Sequence, residues 1–191
     1  LLVIAVDNAA NQTVYPQVAD FTFYGGLYRG VEIICVHKSH FALDYFGGQA
    51  IAVTAEVEYE KAQIEIETWV TDMTDKQRVL YSVYDSEGNE VYAKETSDKK
   101  ISFTIDKPHL WHGKKDPYLY KAQARLIDEG EIIDCVATRF GCRSFRIDPD
   151  KGFILNGEPY PLRGVSRHQD RWGVGNALEK EHHIQDMELI C

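Results

Sequence analysis

From residue 51 to residue 140 the chain alternates apolar and polar residues almost strictly, and no other feature constrains its fold as much. Ile51, Val53, Ala55, Val57 and Tyr59 alternate with Ala52, Thr54, Glu56 and Glu58, and Ile64, Ile66, Thr68 and Val70 with Gln63, Glu65, Glu67 and Trp69. Successive side chains on a strand point to opposite faces, so a period of two buries one face and wets the other. The same pattern returns over residues 78–84, 90–94, 101–105, 118–127 and 132–140, separated by turn clusters such as Ser86-Glu87-Gly88-Asn89 and Asp128-Glu129-Gly130. About seven strands with turns roughly every 8–12 residues predict an immunoglobulin-like β-sandwich. The Cys…Trp…Cys spacing of antibody domains is absent, so apolar packing must hold it together. Glu56, Glu58, Glu65 and Glu67 fall on the solvent face and read as screening charge rather than a catalytic pair. Trp111, Tyr118 and Tyr120 read as packing at a sandwich corner before they read as a sugar-stacking platform.

The flanks follow other rules. Residues 1–45 predict two or three strands, over 2–6, 30–36 and 40–45. Between them lies an aromatic-rich loop from Ala19 to Arg29 with a glycine pair, Gly25-Gly26. Asp148-Pro149-Asp150 ends the sandwich pattern. Asn156-Gly157 is the dipeptide that most readily takes both positive φ angles of a type I′ hairpin turn. Pro159 and Pro161 confine the returning strand to an edge, since neither donates to a ladder. Leu162-Arg163-Gly164-Val165-Ser166 then predicts a short buried strand that releases Arg167, His168, Gln169 and Asp170. A charged cluster at the C-terminal end of a strand is how a (β/α)8 barrel begins to build its active site. A glycine-rich link, 172–175, leads to a helix from about Leu178, with Leu178, Ile184, Met187 and Leu189 or Ile190 as an apolar stripe. One strand and one helix cannot close a barrel. The chain opens without Met inside an apolar pattern and closes inside a helical one, so it reads as a piece of a larger enzyme.

Composition narrows the partners. Thirty acidic against 21 basic residues give a net charge of −9 without a basic patch, which argues against nucleic acid and anionic membrane as partners. No apolar run approaches the roughly 18 residues of a membrane span. Four cysteines without C-x-x-C spacing read as reduced thiols of a cytoplasmic protein. His182 and His183 with Asp186 do not converge on a metal, because adjacent helical side chains diverge by about 100°. His37 and His40 lack a matching ligand pair. By spacing alone, His168 pairs with Asp170, Asp20 is a turn or capping carboxylate, and Arg163 and Arg167 are ion-pair partners.

The order of pieces carries a resemblance. The loop Asp20-Phe-Thr-Phe-Tyr-Gly-Gly-Leu-Tyr-Arg29, the sandwich with Leu110-Trp111 and Asp116-Pro117-Tyr118-Leu119-Tyr120, and the segments Phe153-Ile-Leu-Asn-Gly157 and Leu162-Arg-Gly-Val-Ser-Arg-His168 follow one another. Together they resemble glycoside hydrolase family 2, most closely its bacterial β-galactosidases, over essentially the whole chain. Ser166 stands where many members have Asn. The resemblance implies three parts: residues 1–46 as the end of a sugar-binding jelly roll, 47–147 as the immunoglobulin-like sandwich, and 148–191 as the start of the catalytic barrel. It implies that Asp20 reaches the active site, touching sugar hydroxyls and a monovalent cation such as sodium, and that His168 contacts the sugar. Arg167 is a weaker substrate-binding candidate. Magnesium and a homo-oligomeric state are further implications for the complete enzyme.

The two catalytic glutamates of the family lie on later barrel strands, so no residue here is assigned a catalytic role. Retaining glycosidases need two carboxyl groups about 5–5.5 Å apart, and Asp20 and His168 can orient a sugar without performing the double displacement. The expectation is a segment of a retaining enzyme acting on terminal β-galactosides, inactive by itself. Its rivals are a β-glucuronidase or β-mannosidase of the same family, and a non-catalytic carbohydrate- or protein-binding sandwich module.

Overall fold

A computed structural model describes residues 1–13 and 24–190. The chain divides into two compact units, one spanning Cys35–Arg163 and the other formed by Leu1–Ile34 with Gly164–Cys191.

The larger unit holds β1 (His40–Phe41), β2 (Ile51–Glu58), β3 (Lys61–Thr68), β4 (Val70–Thr71), β5 (Arg78–Tyr84), β6 (Glu90–Thr96) and β7 (Lys100–Asp106). It continues with β8 (Tyr120–Asp128), β9 (Glu131–Phe140), β10 (Phe145–Asp148), β11 (Gly152–Leu155) and β12 (Glu158–Pro159). One antiparallel sheet has the order β2-β3-β7 and a second the order β6-β5-β8-β9. The alternation decides which side faces in. In β3, Ala62, Ile64, Ile66 and Thr68 are buried while Lys61 and Gln63 are exposed and Glu65 and Glu67 half-exposed. Ile64, Ile66, Ile101 and Phe103 from the first sheet meet Val79, Tyr81, Val83, Ala124 and Leu126 from the second in one core. Ala124 and Ala122 lie in register with Tyr81 and Val83, so small residues of β8 leave room for large ones of β5. Tyr92 of β6 stacks on Phe103 of β7 at 3.7 Å, ring on ring across the two sheets. This is the expected seven-stranded β-sandwich, and the chain is mainly β.

The outer glutamates behave as screening charge: Glu65 pairs with Lys100 at 2.7 Å on the exposed face. The aromatic corner also forms. The Tyr120 hydroxyl accepts the His109 N–H at 2.9 Å, and the Arg143 guanidinium lies 5.0 Å from the centre of the Trp111 ring. Trp69, placed by alternation with the polar residues, is half-buried and stacks on Tyr45 at 4.0 Å.

The hairpin is as its turn residues dictate. Asn156 and Gly157 take φ of 50° and 85°, and β12 with Pro159 is the edge of the sheet β10-β11-β12. Asn156 has a second task that the turn propensity does not reveal. Its Nδ2 donates to the Trp111 carbonyl at 3.0 Å and its Oδ1 accepts the Ser144 N–H at 3.0 Å. One side chain therefore ties the hairpin to the sandwich corner.

Three expected strands differ. Residues 2–6, 30–36 and 162–166 form no ladder, and Leu2, Ile33, Leu162 and Val165 are exposed. A strand persists only where a neighbouring backbone takes up its N–H and C=O groups, and among the described residues no segment pairs with these three. The helix α1 (Lys180–Ile190) is present, but its apolar residues Ile184, Met187, Leu189 and Ile190 remain uncovered. No helix among the described residues is long and apolar enough to cross a membrane.

Two expectations test this packing. The Tyr81 hydroxyl, fully buried, meets Thr68 Oγ1 at 2.8 Å and donates to the Asp98 carbonyl at 3.1 Å. Tyr81→Phe deprives the Asp98 carbonyl of its donor and the Thr68 hydroxyl of an acceptor, and chemical denaturation should show a loss of about 1–2 kcal/mol. Burial pushes the Cys142 thiol up to about 11. A raised thiol pKa keeps the folded state protonated, so its contribution is complete below the ordinary value and fades as pH climbs through about 11. At pH 8 the exposed Cys35 and Cys135 are expected to alkylate with iodoacetamide while Cys142 stays unmodified until the chain unfolds.

Candidate functional site

The sequence points to Asp20, Arg167 and His168. Asp20 lies outside the described residues. Arg167 and His168 sit in the smaller unit, on the extended segment that leads to α1.

His168 is exposed, and among the described residues it makes no hydrogen bond or ion pair; the pairing with Asp170 that spacing favours is not formed. Its ring nitrogens are therefore available to a ligand hydroxyl, one as donor and the other as acceptor. Arg167 is differently placed. Its Nε donates to Asp186 Oδ2 at 2.7 Å and its Nη2 reaches the same oxygen, with both side chains largely covered. The guanidinium holds the Asp186 carboxyl below its ordinary pKa, through the hydrogen bond first and charge attraction after it. Two of the three guanidinium nitrogens of Arg167 thus brace the segment against α1. Arg163 has no ion pair among the described residues.

Asp186 Oδ2 is engaged by Arg167. His182 Nδ1 accepts the Glu179 N–H at 3.0 Å at the start of α1. Among the described residues no three His, Cys, Asp or Glu side chains are grouped to hold an ion.

Four residues to which the sequence assigned no role make contacts to or within the segment that follows His168. Arg29 Nη2 donates to Gln169 Oε1 at 3.1 Å across 140 residues of chain. Tyr24 packs on Gly175, where a Cβ would lie 2.8 Å from Tyr24 Cζ. Gly175 in turn closes a tight turn with Arg171, each donating its N–H to the other's carbonyl at 2.9 to 3.0 Å. Arg171 Nη1 donates to Gln185 of α1 at 2.8 Å. The glycines at 25 and 175 were the available signal, because close approach of another group excludes a side chain there. What each glycine faces was not legible.

A family model for glycosyl hydrolases family 2 matches residues 49–143, the sandwich. A β-glucuronidase of Bacteroides fragilis is 35% identical over 99% of this chain and 29% of its own length. The chain belongs to glycosyl hydrolase family 2. A β-galactosidase of Thermoanaerobacter pseudethanolicus is 29% identical, with the whole of this chain aligned to 26% of that protein. Among solved structures, an FMN-binding β-glucuronidase from Facaelibacterium prausnitzii L2-6 superposes with a TM-score of 0.89 at 44% identity, over 96% of this chain and 29% of that one. This family 2 chain therefore spans less than a third of the length of these relatives.

The Arg167–Asp186 bridge has a defined acid limit. A lowered carboxyl pKa means that its contribution is complete above the ordinary value and is lost as pH falls through the depressed one. Carboxyl-carbon NMR is expected to show Asp186 titrating below the ordinary aspartate value, and Arg167→Met is expected to raise it.

Proposed function

We propose that this chain is a segment of a retaining exo-β-glycosidase and that terminal β-glucuronides are the substrates of the complete enzyme. The single observation carrying the substrate is the alignment over nearly the whole chain to the Bacteroides fragilis β-glucuronidase, at higher identity than to the β-galactosidase from Thermoanaerobacter. The β-galactoside expected from the sequence motifs is the second reading, supported by that second relative and by the loop from Asp20 to Arg29.

In this proposal residues 1–46 end a jelly-roll domain, 47–147 form the sandwich, and 148–191 begin the barrel. The sandwich is a spacer: it carries no group suited to glycoside chemistry, since its outer carboxylates face solvent and its aromatic corner is internally packed. Sugar contact falls to the flanking segments. His168 offers both a donor and an acceptor to sugar hydroxyls. Asp20, an acceptor when ionised, takes hydroxyl protons in hydrogen bonds and serves as a ligand to a monovalent cation, with magnesium elsewhere in the complete enzyme. The acid/base and nucleophile are glutamates beyond this segment, so the 191-residue chain by itself is inactive.

The test is turnover of nitrophenyl β-glucuronide, β-galactoside and β-mannoside by the complete enzyme, with the 191-residue chain as control. Preference for the glucuronide by the complete enzyme and silence from the chain is the expected result. Preference for the galactoside restores the second reading. In the same enzyme His168→Ala is expected to lower kcat/KM by about 10- to 100-fold, the worth of a hydrogen bond to a tightly held ligand. Unchanged kinetics removes His168 from the site.

A further inference from the structure

Tyr24 and Arg29 close one stretch of chain onto another that is far away in sequence. Four contacts define the junction. Arg29 donates to Gln169 at 3.1 Å. Tyr24 fills the space that a side chain on Gly175 would need, with the hypothetical Cβ 2.8 Å from Cζ and 3.1 Å from the hydroxyl. Arg29 is also held on its own side, its guanidinium carbon 5.8 Å from the Tyr28 ring centre. A Cβ on Gly25 would come within 2.9 Å of Asn8 Cγ, so that glycine lets a third stretch of the same unit lie close.

The far side of the junction is rigid. Residues 171–175 form a closed turn through the reciprocal Arg171 and Gly175 bonds. Arg171 is tethered to Gln185, and Arg167 to Asp186, both on α1. Gln169 lies between these two tethers and next to His168 in the chain. Tyr24 lies four residues after Asp20 in the sequence. The junction thus holds the segment that carries His168, a sugar-contact candidate, while neither Arg29 nor Tyr24 is itself assigned a sugar contact.

We infer that Arg29 and Tyr24 are positioning residues, which hold the segment carrying His168 in place through Gln169 and Gly175, and so set sugar affinity without touching the sugar. The inference rests on the proposed glycosidase reading. Its energetic logic is preorganisation: a site assembled from two separate stretches costs ordering entropy at each binding event unless contacts outside the ligand hold the stretches together beforehand. Loss of such a contact weakens binding in the ground state and transition state alike, so it raises KM and leaves kcat nearly unchanged.

The experiment uses the complete enzyme. Wild-type turnover is established first on nitrophenyl β-glucuronide and β-galactoside; if neither is hydrolysed, the glycosidase reading fails and takes this inference with it. With an active wild type, Arg29→Met and Gln169→Leu are each expected to raise KM about fivefold, with kcat within about twofold of wild type. The double variant is expected to be no worse than either single one, because both remove the same bond. Gln169→Glu keeps an acceptor for the guanidinium and is expected to hold KM within about twofold of wild type. Gly175→Ala displaces Tyr24 and raises KM independently of the Arg29 bond. Should Arg29→Met fail to fold, Gln169→Leu against Gln169→Glu, with Gly175→Ala, decides the matter by the same criteria. Unchanged KM in Gln169→Leu and Gly175→Ala overturns the inference. So does multiplicative loss in the double variant, or a fall in kcat and thermal midpoint together while KM is retained.

Discussion

A backbone group that leaves water must find a hydrogen-bond partner, and that constraint sorts this chain into what is folded as expected and what is not. Between residues 51 and 140 every long apolar-alternating run lies beside another, in two sheets whose ladders run almost without interruption. The runs at 2–6, 30–36 and 162–166 have strand composition but no neighbour among the described residues, and they form no strands. Apolar content does not make a strand; a partner does.

Within the sandwich the packing is decided by pairs of unequal size. Tyr81 is opposite Ala124 and Val83 opposite Ala122, so large side chains of one strand lie beside small ones of the next. The buried Tyr81 hydroxyl brings one polar demand into that core. Thr68, at the end of β3 in the facing sheet, meets it together with the Asp98 carbonyl. The two sheets are therefore joined by a directional bond as well as by apolar area, and such a bond fixes their relative register more narrowly than burial does.

The smaller unit works by different means. It has one helix and no ladder among the described residues, and side-chain hydrogen bonds take the place of backbone pairing. Arg167 and Arg171 reach α1, and Arg29 reaches Gln169. Arginine suits this task because its planar fork stays charged and offers several donors from a long stem. Arg167, a candidate sugar ligand by its place in the motif, uses two of its three guanidinium nitrogens to brace the segment through Asp186. His168, one residue on, is left with its ring exposed.

The sequence alone determined the sandwich, its strand order in the chain, the hairpin at Asn156-Gly157 and the solvent-facing glutamates, because a period of two and a turn dipeptide are local properties. The family motifs were local too, and they located His168 and the loop from Asp20 to Arg29. The tertiary structure decided which polar groups meet. It turned Arg167 toward Asp186, freed His168 from Asp170, gave Asn156 its bond to Trp111, and brought Arg29 to Gln169 across 140 residues. Contacts of that kind depend on the path of the whole chain, and no periodicity or spacing records them.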